Sequence, residues 1–257
     1  MSATAPRLSV VIPAFNEEAR LVGTLARVLD YLHGRREPFE VIVVDDGSSD
    51  DTAGAARRAA AAAGGAVRVV ANVRNRGKGF SVRRGVEESR GEFILFSDAD
   101  LSTPIEDVER LFAALLEGGC DIAIGSRAMK GSDVRVHQPW YREAMGKTFN
   151  KLVRLLVLRG FRDTQCGFKL FRAPAARDIF RLQRVERFSF DVEALYLARR
   201  RGYRVAEVPV TWYNSPSSRV SIVRDSARMF LDVLRIRLNG LRGGYGPAAP
   251  AGRGMKR

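Results

Sequence analysis

Two aspartates, Asp98 and Asp100, stand one residue apart directly after the apolar run Phe93-Ile94-Leu95-Phe96. Carboxylates at i and i+2 at the exit of a strand can converge on one hard cation. Mg²⁺ and Mn²⁺ favour oxygen ligands, and Mg²⁺ usually combines one or two carboxylates with substrate phosphates. A solvated turn is the plain alternative. A second acidic cluster, Asp45-Asp46-Gly47-Ser48, also follows a buried apolar run. A carboxylate there can accept from the N–H of a base or from ribose hydroxyls. It can equally cap the helix that starts near Thr52, although Asp50 or Asp51 would serve that purpose as well. A third cluster, Asn75-Arg76-Gly77-Lys78-Gly79, puts glycines and a cation at a helix start. Backbone N–H groups and a helix N-terminus suit an anion. A basic turn is the other reading, and the GxxxxGK[ST] pattern is absent.

Other chemistries find no support. The two histidines, His33 and His137, have no motif around them, which removes a Ser–His–Asp triad and a zinc site. No GxGxxG follows the first strand. The two cysteines, Cys120 and Cys166, cannot build a disulfide framework and point to a reducing compartment.

The elements that must position these residues alternate regularly. Apolar runs at 8–13, 39–44, 67–71, 92–97 and 121–125 read as buried strands. Helical spacing appears at 17–32, 52–63, 77–88 and 105–116. Continuous apolar strands alternating with helices predict an α/β fold, with a mostly parallel sheet covered on both faces. Ligands then bind beyond the carboxyl ends of the strands. Asn16-Glu17, Asp45-Asp46, Asp98-Ala99-Asp100 and Arg127 all fall at such ends. The back half is less regular: helices at 140–158, 174–182, 191–201 and 222–241, a glycine-containing loop or short strand at 163–171, a strand at 204–212 and a polar loop at 214–221. Residues 243–257, rich in Gly, Pro and Ala, read as a disordered tail. The division is one domain over 1–242, with 8–127 as one half and 128–242 as the other.

Charge divides along the same line. Residues 1–122 carry a net −4 and residues 123–257 a net +18, within a total of +14. The basic half calls for a polyanion: nucleic acid, an anionic membrane surface or phosphorylated ligands. Most of its cations are arginine, so codon bias contributes. No aromatic-interleaved basic module or helix-turn-helix supports nucleic acid. No signal peptide or apolar stretch of 18 residues is present. On the helix at 222–241, with ~100° per residue, Arg224, Arg228, Arg235 and Arg242 share one stripe away from Ile222, Met229, Phe230, Val233, Leu234 and Leu241. Such a helix can lie on anionic lipid or pack on the core with a solvated arginine face.

The four ordered motifs, Val10 to Glu17, Val43 to Ser48, Asn75 to Gly79 and Ser97 to Asp100, together resemble family 2 glycosyltransferases with the GT-A fold. Gly125-Ser126-Arg127, Asp163 to Phe171 and Phe190-Asp191-Val192-Glu193 resemble the polyprenyl-phosphate hexose synthases, with the dolichyl-phosphate β-glucosyltransferase branch nearest. The likeness covers roughly residues 8–240. It implies a Rossmann-like GT-A sheet with a C-terminal amphipathic helical elaboration, and these roles: Pro13, Ala14, Asn16 and Glu17 line a nucleotide pocket, Asp45 meets the base or its ribose, and Lys78 lies in the donor loop. Asp98 sits beside the donor sugar and, with Asp100, holds Mg²⁺ or Mn²⁺. Arg127 and Arg142 meet the acceptor phosphate or donor, and Arg219, Ser221 and Arg224 belong to a late loop that closes over phosphates. Mannosyl-transferring relatives often carry Gln where this chain has Ser102, which favours UDP-glucose over GDP-mannose. Eukaryotic relatives usually carry an N-terminal anchor, and none is expected from residues 1–8 here.

The implied reaction is hexosyl transfer from a nucleotide sugar to a polyprenyl phosphate with inversion, at the cytoplasmic face of the membrane, peripherally. Asp163 and Asp191 are candidates for orienting or activating the acceptor, with loop capping and an internal salt bridge as their plain roles. Transfer to a soluble acceptor and a non-catalytic nucleotide-sugar-binding subunit are the other readings. The sequence leaves the oligomeric state open.

Overall fold

The computed structural model describes residues 5–136, 140–158, 160–214 and 222–247. In chain order the elements are β1 (Leu8–Ala14), α1 (Glu18–Gly34), β2 (Phe39–Asp45), α2 (Thr52–Ala62), β3 (Val67–Ala71), α3 (Lys78–Glu88), β4 (Phe93–Ser97), α4 (Val108–Leu116), β5 (Ile122–Ser126), β6 (Asp133–Val136), α5 (Trp140–Leu156), β7 (Phe168–Arg172), α6 (Ala173–Leu182), α7 (Phe190–Arg200), β8 (Val205–Pro209), β9 (Thr211–Tyr213) and α8 (Ile222–Leu241).

The strands form a seven-stranded sheet in the order β3-β2-β1-β4-β7-β5-β8, and β6 and β9 form a separate pair. All pairings in the large sheet are parallel except those of β7, which runs antiparallel to both β4 and β5. The expected α/β class and mostly parallel sheet are therefore present. The segment 163–171 divides into a loop and the central strand β7. Its strand character is masked in sequence by Lys169, a charged residue that is nonetheless 1% exposed. The single strand expected at 204–212 breaks at Val210 into β8 and β9, and β6 has no counterpart in the sequence reading.

The two faces of the sheet carry separate cores, as the period of two along a strand requires. Leu8, Val10 and Ile12 of β1 pack with Leu21, Leu25 and Val28 of α1 and with Leu111 and Leu115 of α4. Val11 points the other way, into a cluster with Val82 of α3, Ile179 of α6, Phe190 of α7 and Val233 of α8. Every residue of Phe93–Phe96 in β4 is at most 1% exposed. Burying side chains of this size contributes about 1.5–3 kcal/mol each, so the strand that leads into Asp98 is firmly held.

The C-terminal segment corrects one expectation. Residues 243–247 do not begin a detached tail: Tyr245 is 1% exposed and joins the core under α7 and α8. Residues 248–257 lie outside the described residues. None of the helices among the described residues is long and apolar enough to cross a membrane.

Candidate active site

The sheet order reverses at β1, with β2 and β3 on one side and β4 on the other. Ligands in open α/β sheets bind in the crevice at such a switch point. Pro13 marks its opening. β1 pairs with β4 only from Leu8 to Val11, whereas its pairing with β2 continues through Pro13 and Ala14. Proline lacks the N–H that a further bond would need, so β1 and β4 part here.

Around this crevice the structure gathers Pro13, Ala14, Asn16, Glu17, Asp45, Lys78, Asp98 and Asp100. Asn16 adopts φ +54°, which its short polar side chain tolerates. Its Oδ1 accepts from Ser49 N–H at 2.8 Å, and its own N–H donates to Ser48 Oγ at 2.9 Å. Glu17 N–H donates to Thr52 Oγ1 at 2.8 Å. Asp45 Oδ1 accepts from the backbone and hydroxyl of Ser48. The turns after β1 and β2 are thus tied into one wall.

Asp46, adjacent to the residue favoured from sequence, holds the next wall. Its Oδ2 accepts from Gly77 N–H at 2.7 Å, and its Oδ1 accepts from Arg76 N–H at 3.1 Å and Asn72 Nδ2 at 2.8 Å. The loop before α3 is therefore hung on a carboxylate. The glycines flanking Lys78 turn out to serve close packing. A Cβ on Gly77, at φ +113°, would lie 2.5 Å from Glu186 O, and one on Gly79 would lie 2.5 Å from Phe190 Cβ. Phe80 N–H is also spent on Glu186 O at 3.0 Å. The N–H groups of Arg76, Gly77 and Phe80 are thus used internally, and Lys78 is the cation that the motif carries toward the crevice.

Lys78 Nζ lies 2.5 Å from Asp98 Oδ1 and 5.2 Å from the centre of the Phe96 ring. Desolvation pulls the Lys78 ammonium down, but attraction to Asp98, Asp191 and Asp100 more than offsets it, so its pKa is raised and it stays charged. Asp98 is also pushed up: desolvation leads, Lys78 opposes, and repulsion from Asp100 and Asp191 adds. Asp100 Oδ1 accepts from Ser102 N–H at 3.0 Å, which orients its carboxylate. Leu101 sits at φ +46°, a left-handed turn costing a leucine roughly 1–2 kcal/mol. Such strain is typical of functional sites, and here it brings both carboxylates round to one edge.

Three carboxylates crowding one region repel each other, and a divalent cation relieves that repulsion. No group of three or more His, Cys, Asp or Glu side chains forms a metal cage among the described residues. Asp98 and Asp100 therefore fit a cation that completes its shell with phosphate and water.

Because β7 runs antiparallel, its leading loop arrives at the same edge. Phe168 pairs with Ser97, which sets Gly167 against Asp98. Asp98 N–H donates to Gly167 O at 3.1 Å, and a Cβ on Gly167 would fall 2.1 Å from Asp98 Oδ2. Gly167→Ala is therefore expected to displace the Asp98 carboxylate and to lower turnover at this site by about 100-fold with a melting temperature shift of only a few degrees. Steady-state kinetics beside a thermal melt check this, and unchanged activity would refute it.

Asp163 and Asp191 are each engaged by a cation. Asp163 Oδ2 accepts from Arg127 N–H at 3.1 Å and Arg127 Nε at 2.6 Å; its Oδ1 accepts from Arg127 Nη2 at 2.9 Å and Gln165 N–H at 3.1 Å. Its side chain is 2% exposed. Desolvation would raise its pKa, but the charge and hydrogen bonds of Arg127 win and hold it down at about 2. A carboxylate so saturated orients Arg127 and is a poor base. Asp191, in the first turn of α7, lies 2.5 Å from Lys169 Nζ, which also donates to Cys166 O at 2.6 Å. It is one half of a buried ion pair. Lys169 is a site residue that the sequence reading did not single out, since a lysine within a strand offers no hint of burial. The Arg127 guanidinium carbon lies 5.4 Å from the centre of the Trp212 ring.

Arg219 and Ser221 lie outside the described residues. Arg142 and Arg224 fall in α5 and α8, and their side chains also lie outside what is described.

Comparison with known proteins decides the family. Residues 9–180 match the model of Glycosyl transferase family 2. The chain belongs to this family. The transferase is 41% identical over 250 residues to human dolichyl-phosphate beta-glucosyltransferase, covering 93% of this chain and 77% of that protein. The enzyme of the same name from Saccharomyces cerevisiae is 35% identical, with 93% and 76% coverage. Among solved structures, glucosyl-3-phosphoglycerate synthase from Mycobacterium tuberculosis, in complex with Mn²⁺, uridine-diphosphate-glucose and phosphoglyceric acid, superposes with a TM-score of 0.63 at 20% identity, over 91% of this chain and 79% of that one. The transferase thus has the GT-A fold expected from its motifs.

Proposed function

We propose that the transferase moves glucose from UDP-glucose to a polyprenyl phosphate, inverting the anomeric carbon. The observation that carries this reading is the 41% identity across 93% of the chain to a dolichyl-phosphate beta-glucosyltransferase. The assembled Lys78, Asp98, Asp100 and Arg127 cluster supports it.

Each residue has a task that its setting allows. The walls tied by Asn16, Glu17, Asp45 and Ser48 hold the nucleoside. Lys78 meets a diphosphate oxygen. Asp98 and Asp100 hold Mg²⁺ or Mn²⁺, as the Mn²⁺ and UDP-glucose in the mycobacterial synthase support. The bound cation supplies Lewis-acid neutralisation of the diphosphate. Arg127, locked in place by Asp163, presents Nη1 to the acceptor phosphate. An oxygen of that phosphate forms the bond to C1 as the bond from C1 to the diphosphate breaks, and UDP leaves with the electron pair. A phosphate is already ionised near pH 7, so no proton need be removed. This agrees with the absence of a free base at Asp163 and Asp191.

The lipid acceptor gives the basic half its role. Helix α8 turns Met229, Val233 and Ile236 into the core. It leaves Phe230, Leu231, Leu238 and Leu241 exposed, with exposed Arg228, Arg235 and Arg242 beside them. An apolar stripe edged by arginines suits the headgroup boundary of an anionic membrane. On this reading the enzyme is peripheral at the cytoplasmic face.

The test offers UDP-glucose, UDP-galactose, UDP-N-acetylglucosamine or GDP-mannose with Mg²⁺ or Mn²⁺. Acceptors are a polyprenyl phosphate in neutral or anionic vesicles, or 3-phosphoglycerate in solution. UDP release from UDP-glucose that requires the lipid, gives glycolipid and is faster on anionic vesicles is the expected result. Release with the soluble acceptor alone, or from another donor, would overturn the reading.

A further inference from the structure

The buried groups outside the crevice include one connected set that the proposed mechanism leaves unused. Tyr245 lies past the end of α8 and is 1% exposed. Its hydroxyl donates to Glu193 Oε1 at 2.6 Å. Glu193, on α7, is 0% exposed. Its other oxygen, Oε2, accepts from Arg184 N–H at 2.9 Å and Val185 N–H at 2.7 Å. Glu193 is therefore a clamp between the C-terminal segment and the loop 183–186.

That loop is the surface on which the first turn of α3 rests. Glu186 O accepts from Phe80 N–H at 3.0 Å. Gln183 Nε2 donates to Val185 O at 2.7 Å and to Gly79 O at 2.9 Å. A Cβ on Gly77 would meet Glu186 O at 2.5 Å, and one on Gly79 would meet Val185 O at 2.7 Å. Lys78 is the residue between these two glycines. The links from Tyr245 to the first turn of α3 are thus hydrogen bonds, and the loop lies against Gly77 and Gly79 too closely to admit a side chain.

We propose that Tyr245 is a positioning residue for Lys78: its hydroxyl holds Glu193, Glu193 holds the loop 183–186, and that loop fixes the first turn of α3. The functional consequence rests on the reading that Lys78 meets the donor diphosphate. Removing the hydroxyl leaves a buried carboxylate oxygen without its donor. A charge left so will shift or draw in water, and the clamp loosens.

The closing experiment separates the two claims. Amide hydrogen exchange of Tyr245→Phe is compared with wild type, and UDP affinity is measured by calorimetry for both and for Lys78→Met. The expected result is exchange about tenfold faster at Phe80 and Ser81, with β4 unchanged, and UDP binding weakened several-fold. Faster exchange confined to Arg184 and Val185 would overturn the proposal, because the coupling would then stop at the loop. Loss of protection at 80–81 with UDP affinity untouched by Lys78→Met would uphold the positioning link and reject the donor role of Lys78. Should Tyr245→Phe fold poorly, Glu193→Gln keeps the side-chain shape and one carbonyl acceptor, and the same pattern is expected at 80–81. Protection there equal to wild type in both variants refutes the idea.

Discussion

Replacing Asp98 by asparagine is expected to lower kcat/KM on the order of 10²- to 10³-fold, with the loss mainly in kcat. The substitution keeps the shape against Gly167, where no room exists for a larger change. It removes the charge that faces Lys78 Nζ at 2.5 Å. Lys78 is then left desolvated with weaker compensation, from Asp191 and Asp100 alone. One of the two carboxylates that fit a divalent cation is also lost. Charge on the departing diphosphate grows as the sugar bond breaks, so this is where a fixed electrostatic environment matters most. Kinetics at several Mn²⁺ concentrations should show a raised Mn²⁺ requirement beside the fall in kcat. The melting temperature should fall by a few degrees, because Lys78 loses its nearest charge partner. A variant within fivefold of wild type would remove Asp98 from the reacting centre.

Asp163→Asn should act differently, on stability as well as on rate. Arg127 loses its charge partner but keeps its place on β5's exit. Breaking a buried pair by removing one partner costs about 3–5 kcal/mol; the Arg127 side chain is 29% exposed, so roughly 2–3 kcal/mol is the better expectation. The wild-type advantage should depend on pH in a definite direction. The Asp163 carboxyl is held down at about 2 in the folded protein, against about 3.9 in an unfolded chain. Its contribution is therefore complete above pH ~4 and is lost as pH falls toward 2, amounting to about 2.5 kcal/mol. Urea unfolding of wild type and variant, repeated from pH 7 downward, checks this. The gap between them should narrow between pH 4 and 2; a gap that stays constant there would show that the charge of Asp163 is not what stabilises. At pH 7 the variant should also bind the phosphate acceptor more weakly, since Arg127 is no longer held.

The residues show where sequence reasoning reached and where it stopped. Strands β1 to β5 and the helices between them were legible because each is a short apolar run or a helical stripe bounded by a turn signal. The acidic clusters were legible as site residues because they fall at the ends of those runs. Asp45 and Asp46 were not separable by type. Only the folded chain shows Asp45 closing the Ser48 turn and Asp46 carrying the loop that ends in Gly77. Lys169 draws no notice in the sequence and Tyr245 falls in the expected tail, for one shared reason. Local composition marks a charged strand residue or a glycine-rich end as exposed, and a distant partner overrides it: Asp191 for Lys169, Glu193 for Tyr245.

The sequence by itself determined the α/β alternation, the carboxyl-end position of the chemistry, the pair of carboxylates and the family, since these rest on residue type and local spacing. Tertiary structure alone decided that β7 enters between β4 and β5, and so that Gly167 meets Asp98. It decided that the Asp163 carboxylate is taken up by Arg127, and that Glu193 receives the hydroxyl of Tyr245 near the far end of the chain. Each of these depends on which groups a long loop closure brings within hydrogen-bonding distance. That choice is made by burying apolar faces and satisfying polar groups over the whole molecule, and no window of sequence contains it.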